Sequence, residues 1–268
     1  MKNNLNKKIT IMISTLEGGG AEGVCVTIAN NFANSGWHVD LVILNLNDEI
    51  YADRLSDKIN LIVLNVKHAR YSILHLVKYL YKHKAKTVLV FNYELTVILL
   101  ILRTILKFKI KIISRNINTL SIKMKYFSDL NLWTRYIVRP FIKYFYDKTD
   151  HVVNQCQSMR EDLILNFPKL YSNSSVIYNP VSKKILDFRN EHDLYKKKKE
   201  NYLLCVGRLE EQKAFHFAIE AFAGLVTKFP ELRLKIVGKG SLENELRQKA
   251  IACSVSDKVD FEGFQKNI

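Results

Sequence analysis

Short β-branched runs and amphipathic stretches alternate along this chain almost from its first residues, and that alternation leaves few folds open. Ile9 to Thr15 is an apolar run closed by Leu16, Glu17 and three glycines, behind which Val24, Ile28 and Phe32 recur at helical spacing. Gly36 ends that helix, and Val39 to Leu44 supplies the next strand. The order continues with a strand near Leu61 to Leu64, a helix over Tyr71 to His83, a strand at Thr87 to Asn92, an apolar helix after Tyr93 and a strand at Lys111 to Ser114. A strand at His151 to Asn154, a helix from Ser158 to Asn166 and a strand at Ser175 to Tyr178 close the series. Strands separated by helices are joined by crossovers rather than hairpins, so they line up in parallel with helices over both faces.

The pattern lapses over residues 181–200, where "FRNEHDLYKKKKEN" is dense in charge and without a period, and it resumes at Tyr202. The strand "YLLCVG", a helix from about Phe215 to Lys228, the strand "LRLKIVG", a helix over Ser241 to Cys253 and a strand at Val259 to Phe261 follow. Three strands and two helices leave a doubly wound domain with an open edge and too little covering. The expectation is an α/β chain with a first domain over 1–180, a linker over 181–200, and over 201–268 the first half of a second domain whose remainder lies past Ile268.

Composition narrows the function classes. Hydrophobic residues make up 48% of 268 positions and prolines number four, which suits packed cores and excludes disorder as the dominant state. Against 26 acidic residues stand 41 Lys and Arg, a net charge of +15 that calls for an anionic partner: a phosphorylated substrate, an anionic membrane surface or nucleic acid. Cys25, Cys156, Cys205 and Cys253 lie far apart, form no CxxC pair and read as reduced thiols of a cytoplasmic protein. No signal-peptide pattern opens the sequence, and the apolar stretch Leu95 to Leu106, interrupted by Thr96, Arg103 and Thr104, suits a buried helix rather than a membrane span. The seven histidines show no HExxH and no ligand spacing, and neither a GxSxG elbow nor a Walker sequence is present.

Two clusters are placed to carry chemistry. Gly18, Gly19 and Gly20 sit where the first strand hands over to the first helix, and glycines there let backbone N–H groups approach an anion at the positive helix end. The spacing is not that of the dinucleotide fingerprint, and a plain tight turn is the competing reading. In the second unit Gly207 and Arg208 close a strand, Lys213 precedes the following helix, and Gly238 and Gly240 flank Lys239 behind the next strand. Ligands of open parallel sheets gather at such strand ends. Arg offers phosphate a planar fork of donors and Lys a mobile point charge, so the pair can hold a diphosphate; a solvated basic pair is the bland alternative.

In this order and spacing "GGGAE" at Gly18 to Glu22, "VIYNPV", "VGRLEEQK" at Val206 to Lys213, "IVGKGSLENEL" and "VDFEGF" resemble the retaining glycosyltransferases of family 4, bacterial builders of lipopolysaccharide, capsule and lipid-linked oligosaccharides among them. The resemblance covers essentially the whole chain. It implies a GT-B type fold, two Rossmann-like parallel-sheet domains facing across a cleft, the second incomplete here. It implies transfer of a sugar from a nucleotide-diphosphate sugar, UDP-linked, to a glycan or lipid-linked acceptor, with no metal and no further cofactor. Arg208 and Lys213 would hold the diphosphate leaving group. Gly19, Gly20, Gly207, Gly238, Gly240, Phe261 and Gly263 would line the donor site, and Glu22, Arg115 and Asn116 would belong to an acceptor or loop site.

Departures from the family pattern are visible. Arg115 and Asn116 stand where many relatives carry a histidine, Ala214 replaces the glycine that usually follows the phosphate-binding lysine, at little expected cost if the helix starts there, and the glutamate-containing segment that holds ribose and sugar should lie past residue 268. The chain as it stands is therefore expected to transfer poorly. The aromatic and basic stretch 121–145, continuing to Tyr146, reads as surface for the inner face of the cell membrane, with Tyr126, Phe127, Trp133, Tyr136, Phe141, Tyr144 and Phe145 beside lysines and arginines. A nucleic-acid-binding protein and a non-catalytic remnant are the alternatives; no nucleic-acid motif supports the former.

Overall fold

Strand β1, Lys8–Ile13, reads KITIMI, and its alternation divides the first core in two. Ile9, Ile11 and Ile13 pack with Cys25, Val26 and Ala29 of helix α1, Gly20–Asn34, whereas Met12 turns to the opposite face. There it meets Leu76 and Leu80 of α2, Ile73–His83, and Leu99 and Leu100 of α3, Tyr93–Leu106. These contacts come from a computed structural model that describes residues 7–17, 19–46, 51–122, 135–136, 139–181, 183–191 and 200–265. The chain divides into two units, Met1–Asp187 and Phe188–Ile268.

The first unit carries β1, β2 (His38–Ile43), β3 (Ile59–Val63), β4 (Thr87–Val90), β5 (Lys111–Arg115), β6 (His151–Asn154) and β7 (Ser174–Val176) in one sheet of order β3-β2-β1-β4-β5-β6-β7, with every pair parallel. The chain runs outward one way from β1 through β2 to β3 and the other way from β1 through β4 to β7. Neighbouring β1 and β4 are thus followed by helices on opposite faces, and a crevice opens at their carboxyl ends, the place where open α/β sheets bind ligands. Helices α4 (Arg139–Phe145) and α5 (Gln157–Asn166) complete the covering around Tyr146, Leu163 and Leu170. Among the described residues no helix is long and apolar enough to cross a membrane.

A polar knot fastens the far end of this sheet. Asp40 of β2 is fully buried and accepts hydrogen bonds from Tyr79 Oη (2.9 Å) and Asn60 Nδ2 (2.8 Å), with Lys8 Nζ at 3.0 Å. Thr10 Oγ1 lies 2.8 Å from Tyr79 Oη, so the phenol links two strands to α2.

The second unit has β8 (Tyr202–Val206), β9 (Arg233–Val237) and β10 (Val259–Gly263) in the order β10-β9-β8, again all parallel. Ile219 and Phe222 of α7 (Phe215–Val226), Leu246 and Ala250 of α8 (Glu243–Ala252), and Leu234 and Ile236 of β9 form its core. Between β7 and β8 the segment read as aperiodic contains helix α6, Lys183–Glu191, whose Ile185, Leu186 and Phe188 remain exposed. Its three apolar residues stand among Lys183, Lys184, Asp187, Arg189, Asn190 and Glu191, too few for a periodicity argument to resolve. Residues 192–199 of that segment lie outside the described residues.

Candidate functional site

At the switch between β1 and β4 the chain builds one polar end. Asn92 follows β4 with an extended backbone, its Oδ1 accepts from the amides of Glu94 (2.7 Å) and Leu95 (3.4 Å) to cap α3, and its Nδ2 donates to Ser14 Oγ at 2.8 Å. Sequence reading passed over Asn92; an Asn directly before an apolar helix was the available signal. Across the switch Gly19 is the N-cap of α1 with extended backbone, and the Glu22 carboxylate folds back over it: a Cβ at Gly19 would sit 2.2 Å from Glu22 Oε2. An acid at the positive helix end is stabilising, and it occupies part of the space where backbone N–H groups would meet a phosphate. Around Gly20 a Cβ would meet nothing within 4 Å, and Gly18 lies outside the described residues.

The carboxyl ends of β5, β6 and β7 carry a connected amide network. Tyr146 Oη donates to Asn116 Oδ1 (2.6 Å) and lies 2.8 Å from Ser114 Oγ, while Asn116 Nδ2 donates to Asn154 Oδ1 (3.0 Å). Gln155 Nε2 donates to the Asn116 carbonyl at 2.9 Å, and Gln155 Oε1 accepts from Asn179 Nδ2 at 2.9 Å. Tyr146, read from sequence as part of an aromatic surface, is instead fully buried and serves as the hub of this network. Burial pushes its phenol up, so it remains a neutral donor, with the hydrogen bonds to Ser114 and Asn116 opposing the rise. Arg115 and Asn116 are both buried and line a small pocket with Phe91, Tyr93, Asn118 and Leu120.

In the second unit the loops after β8 and β9 press backbone against backbone. A Cβ at Gly238 would lie 1.8 Å from the Gly207 carbonyl oxygen, and one at Gly240 would lie 2.2 Å from that of Leu209. Neither neighbour is a flexible side chain, so only glycine fits. Leu209 N donates to Lys239 O (3.0 Å), Leu242 N to Leu209 O (3.0 Å) and Gly238 N to Gly263 O (2.8 Å), which ties β10 to the same knot. Arg208 and Lys213 are exposed on it, and among the described residues neither makes a side-chain hydrogen bond or an ion pair within 4 Å. The Lys213 stem passes over Gly207, whose Cβ would meet Lys213 Cδ and Cε at 3.4 Å.

Glu210, which the sequence reading left aside, accepts from Ser241 N (3.1 Å) and Ser241 Oγ (3.0 Å). The Ser241 amide and hydroxyl hold its carboxyl below the ordinary value, and the charge of Arg208 adds to this. Phe261 packs into the core cluster with Arg247 stacked on its ring at 4.4 Å, and Gly263 follows a register shift in β10 with φ +67°. Ala214 also has a left-handed backbone, φ +52°, just before α7. The expectation that alanine costs little there is corrected: a Cβ in this region crowds the following carbonyl.

Comparison with known proteins decides what this arrangement belongs to. The family model described as Glycosyltransferase Family 4 matches residues 18–184, and the one described as Glycosyl transferases group 1 matches residues 187–268. The chain belongs to glycosyltransferase family 4. An uncharacterized glycosyltransferase of Haemophilus influenzae is 27% identical over 267 residues, covering 95% of this chain and 68% of its own length. The Campylobacter jejuni N-acetylgalactosamine-N,N'-diacetylbacillosaminyl-diphospho-undecaprenol 4-alpha-N-acetylgalactosaminyltransferase is 30% identical over 126 residues, 47% of this chain and 33% of that protein. Across the curated relatives it matches, the chain spans 33 to 68% of their length.

Among solved structures Anabaena HepE, in complex with UDP-glucose, superposes with a TM-score of 0.69 at 17% identity over 96% of this chain and 69% of that one, a likeness of GT-B fold. Within family 4, then, "VGRLEEQK" and "IVGKG" carry the two backbone-packed loops of the second unit, and Gly19 to Glu22 are the cap and first residues of α1 in the first.

Proposed function

We propose that this family 4 protein transfers a sugar from a nucleotide-diphosphate sugar, UDP-linked, to a glycan or lipid-linked acceptor in the making of bacterial surface polysaccharide or oligosaccharide, with the anomeric configuration retained. The observation that carries the reading is the pair of exposed cations, Arg208 and Lys213, standing without ion-pair partners among the described residues on loops whose glycines bring the backbone of β8 and β9 together. Charge that builds on a departing diphosphate would meet a fork of guanidinium donors and a mobile ammonium, so these two side chains supply the electrostatic stabilisation and no metal is invoked. Glu210, held to Ser241, keeps the loop in shape while leaving the lysine uncompensated.

Gly207, Gly238, Gly240 and Gly263 act on this reading through close backbone approach, with Phe261 beneath them as packing. Glu22, Gly19 and Gly20 border the crevice of the first unit. The Campylobacter relative's name gives a lipid diphosphate acceptor, and HepE was solved with UDP-glucose; both support this substrate class.

Equilibrium binding of UDP to the chain in the presence of a chelator tests the donor site. Arg208→Ala and Lys213→Ala should each weaken the dissociation constant at least about tenfold, the loss of a charge-assisted hydrogen bond. Unchanged affinity in both variants, or binding that disappears with the chelator, would contradict the assignment.

A further inference from the structure

Arg115 ends β5 at the carboxyl edge of the first sheet and is only 3% exposed. Buried guanidinium groups are ordinarily matched by a carboxylate, because the unpaired cation loses its hydration with nothing in return. Here Nη2 donates to the carbonyl of Ile177 (3.2 Å) and to Asn179 Oδ1 (2.9 Å), both neutral. Nε is buried with no acceptor among the described residues. Burial lowers the affinity of the guanidinium for its proton, and no acidic neighbour among the described residues counters this. The group is nevertheless held in place, since Asn179 is itself fixed by Gln155 (2.9 Å) and Gln155 by the Asn116 carbonyl (2.9 Å). It lines the pocket that Phe91, Tyr93, Asn116 and Asn118 complete.

An orientated cation with unused donors, walled by an aromatic ring and amides at the ligand-binding edge of a parallel sheet, is built for an oxoanion that arrives with a ligand. We propose that Arg115 is the anion-recognising residue of a subsite in the first unit that takes a sugar bearing a carboxylate or phosphate group. That the ligand is a sugar rests on the transferase reading; that it is an anion does not. Arg115→Lys is not conservative here, because a point charge cannot offer the fork.

The test uses the 268-residue chain with Arg208→Ala and Lys213→Ala, which silences anion binding in the second unit. Glucuronate, glucose 1-phosphate and uncharged glucose are titrated while binding and melting temperature are followed. At least one charged sugar should bind and raise the melting temperature, glucose should not, and Arg115→Gln should weaken that binding at least about tenfold. Which charged sugar responds assigns the carboxylate or the phosphate. Unliganded Arg115→Gln should melt within ~2 °C of its parent or above it, because it removes an uncompensated buried charge. Absence of Arg115-dependent binding with both charged sugars, equal binding of glucose, or a marked fall in melting temperature that makes Arg115 a structural residue would each overturn the inference. UDP binding by the unsubstituted chain, measured alongside, reports separately on the transferase reading.

Discussion

Asp40 shows how much of this fold's chemistry can rest on one side chain. Burial alone would raise its carboxyl, yet hydrogen bonds from Asn60, Lys8 and Tyr79 outweigh burial and hold it below the ordinary carboxylate value. His38 Nε2 and His83 Nδ1 also face it, at 3.4 and 3.7 Å. A carboxyl whose value is depressed in the folded state stabilises the fold above its unfolded value, near ~4, and that stability is lost as pH falls through the folded value. Urea midpoints should therefore drop below pH ~4, and Asp40→Asn, which leaves Lys8 without its anion, should cost about 3 kcal/mol at neutral pH and flatten the acid slope. An acid limb that is unchanged in the variant would remove Asp40 from this role. None of this was legible in the sequence, because Lys8, Asp40, Asn60 and Tyr79 come from four separate elements and share no spacing.

At the scale of elements, the glycines of the second unit were legible as a cluster while their reason was not. The sequence placed Gly207, Gly238 and Gly240 at strand ends where ligands gather; the structure adds that Gly238 and Gly240 admit the neighbouring loop's carbonyl oxygens. Adding a methyl group against fixed backbone should be expensive, so Gly238→Ala is expected to lose ~1–3 kcal/mol of stability and to weaken UDP binding with it. Gly20→Ala, where nothing lies within 4 Å, should stay within ~0.5 kcal/mol. Beside them Ala214→Gly should stabilise by ~0.5–1 kcal/mol, since it relieves a left-handed alanine in the turn that carries Lys213. Equilibrium denaturation of the three variants checks the set, and similar losses at Gly238 and Gly20 would show that the close approach is not what constrains the loop.

Most strands and helices were readable because each buries one β-branched or amphipathic face: His151–Asn154 and the start of α7 at Phe215 fall where periodicity puts them. Helix α6 escaped because its three apolar residues are too few, in a run dense in charge, to set a period, and Tyr146 was misassigned because its polar partners lie far along the chain.

For the molecule as a whole, the excess of 41 basic over 26 acidic residues is the feature that any account of function must place. Arg208, Lys213 and Arg115 use a few of those charges. A share of the remainder lies around α4, where Tyr136, Phe141 and Tyr144 are exposed and Lys148 Nζ sits 3.9 Å from the Tyr144 ring centre; Tyr126, Phe127 and Trp133 lie outside the described residues. We expect this face to meet an anionic membrane: the chain should bind vesicles containing phosphatidylglycerol at low salt, release them at high salt, and show no comparable affinity for duplex DNA. Preference for DNA over vesicles would favour the nucleic-acid alternative instead.

Hydrogen–deuterium exchange with and without UDP tests most directly whether the second unit holds the donor's diphosphate. Saturating UDP should slow exchange of the amides after β8 and β9, over Gly207 to Lys213 and Gly238 to Leu242, and Arg208→Ala should raise the UDP concentration needed for that protection at least about tenfold. Bound UDP that leaves both loops unprotected, with protection confined to the first unit, would contradict it.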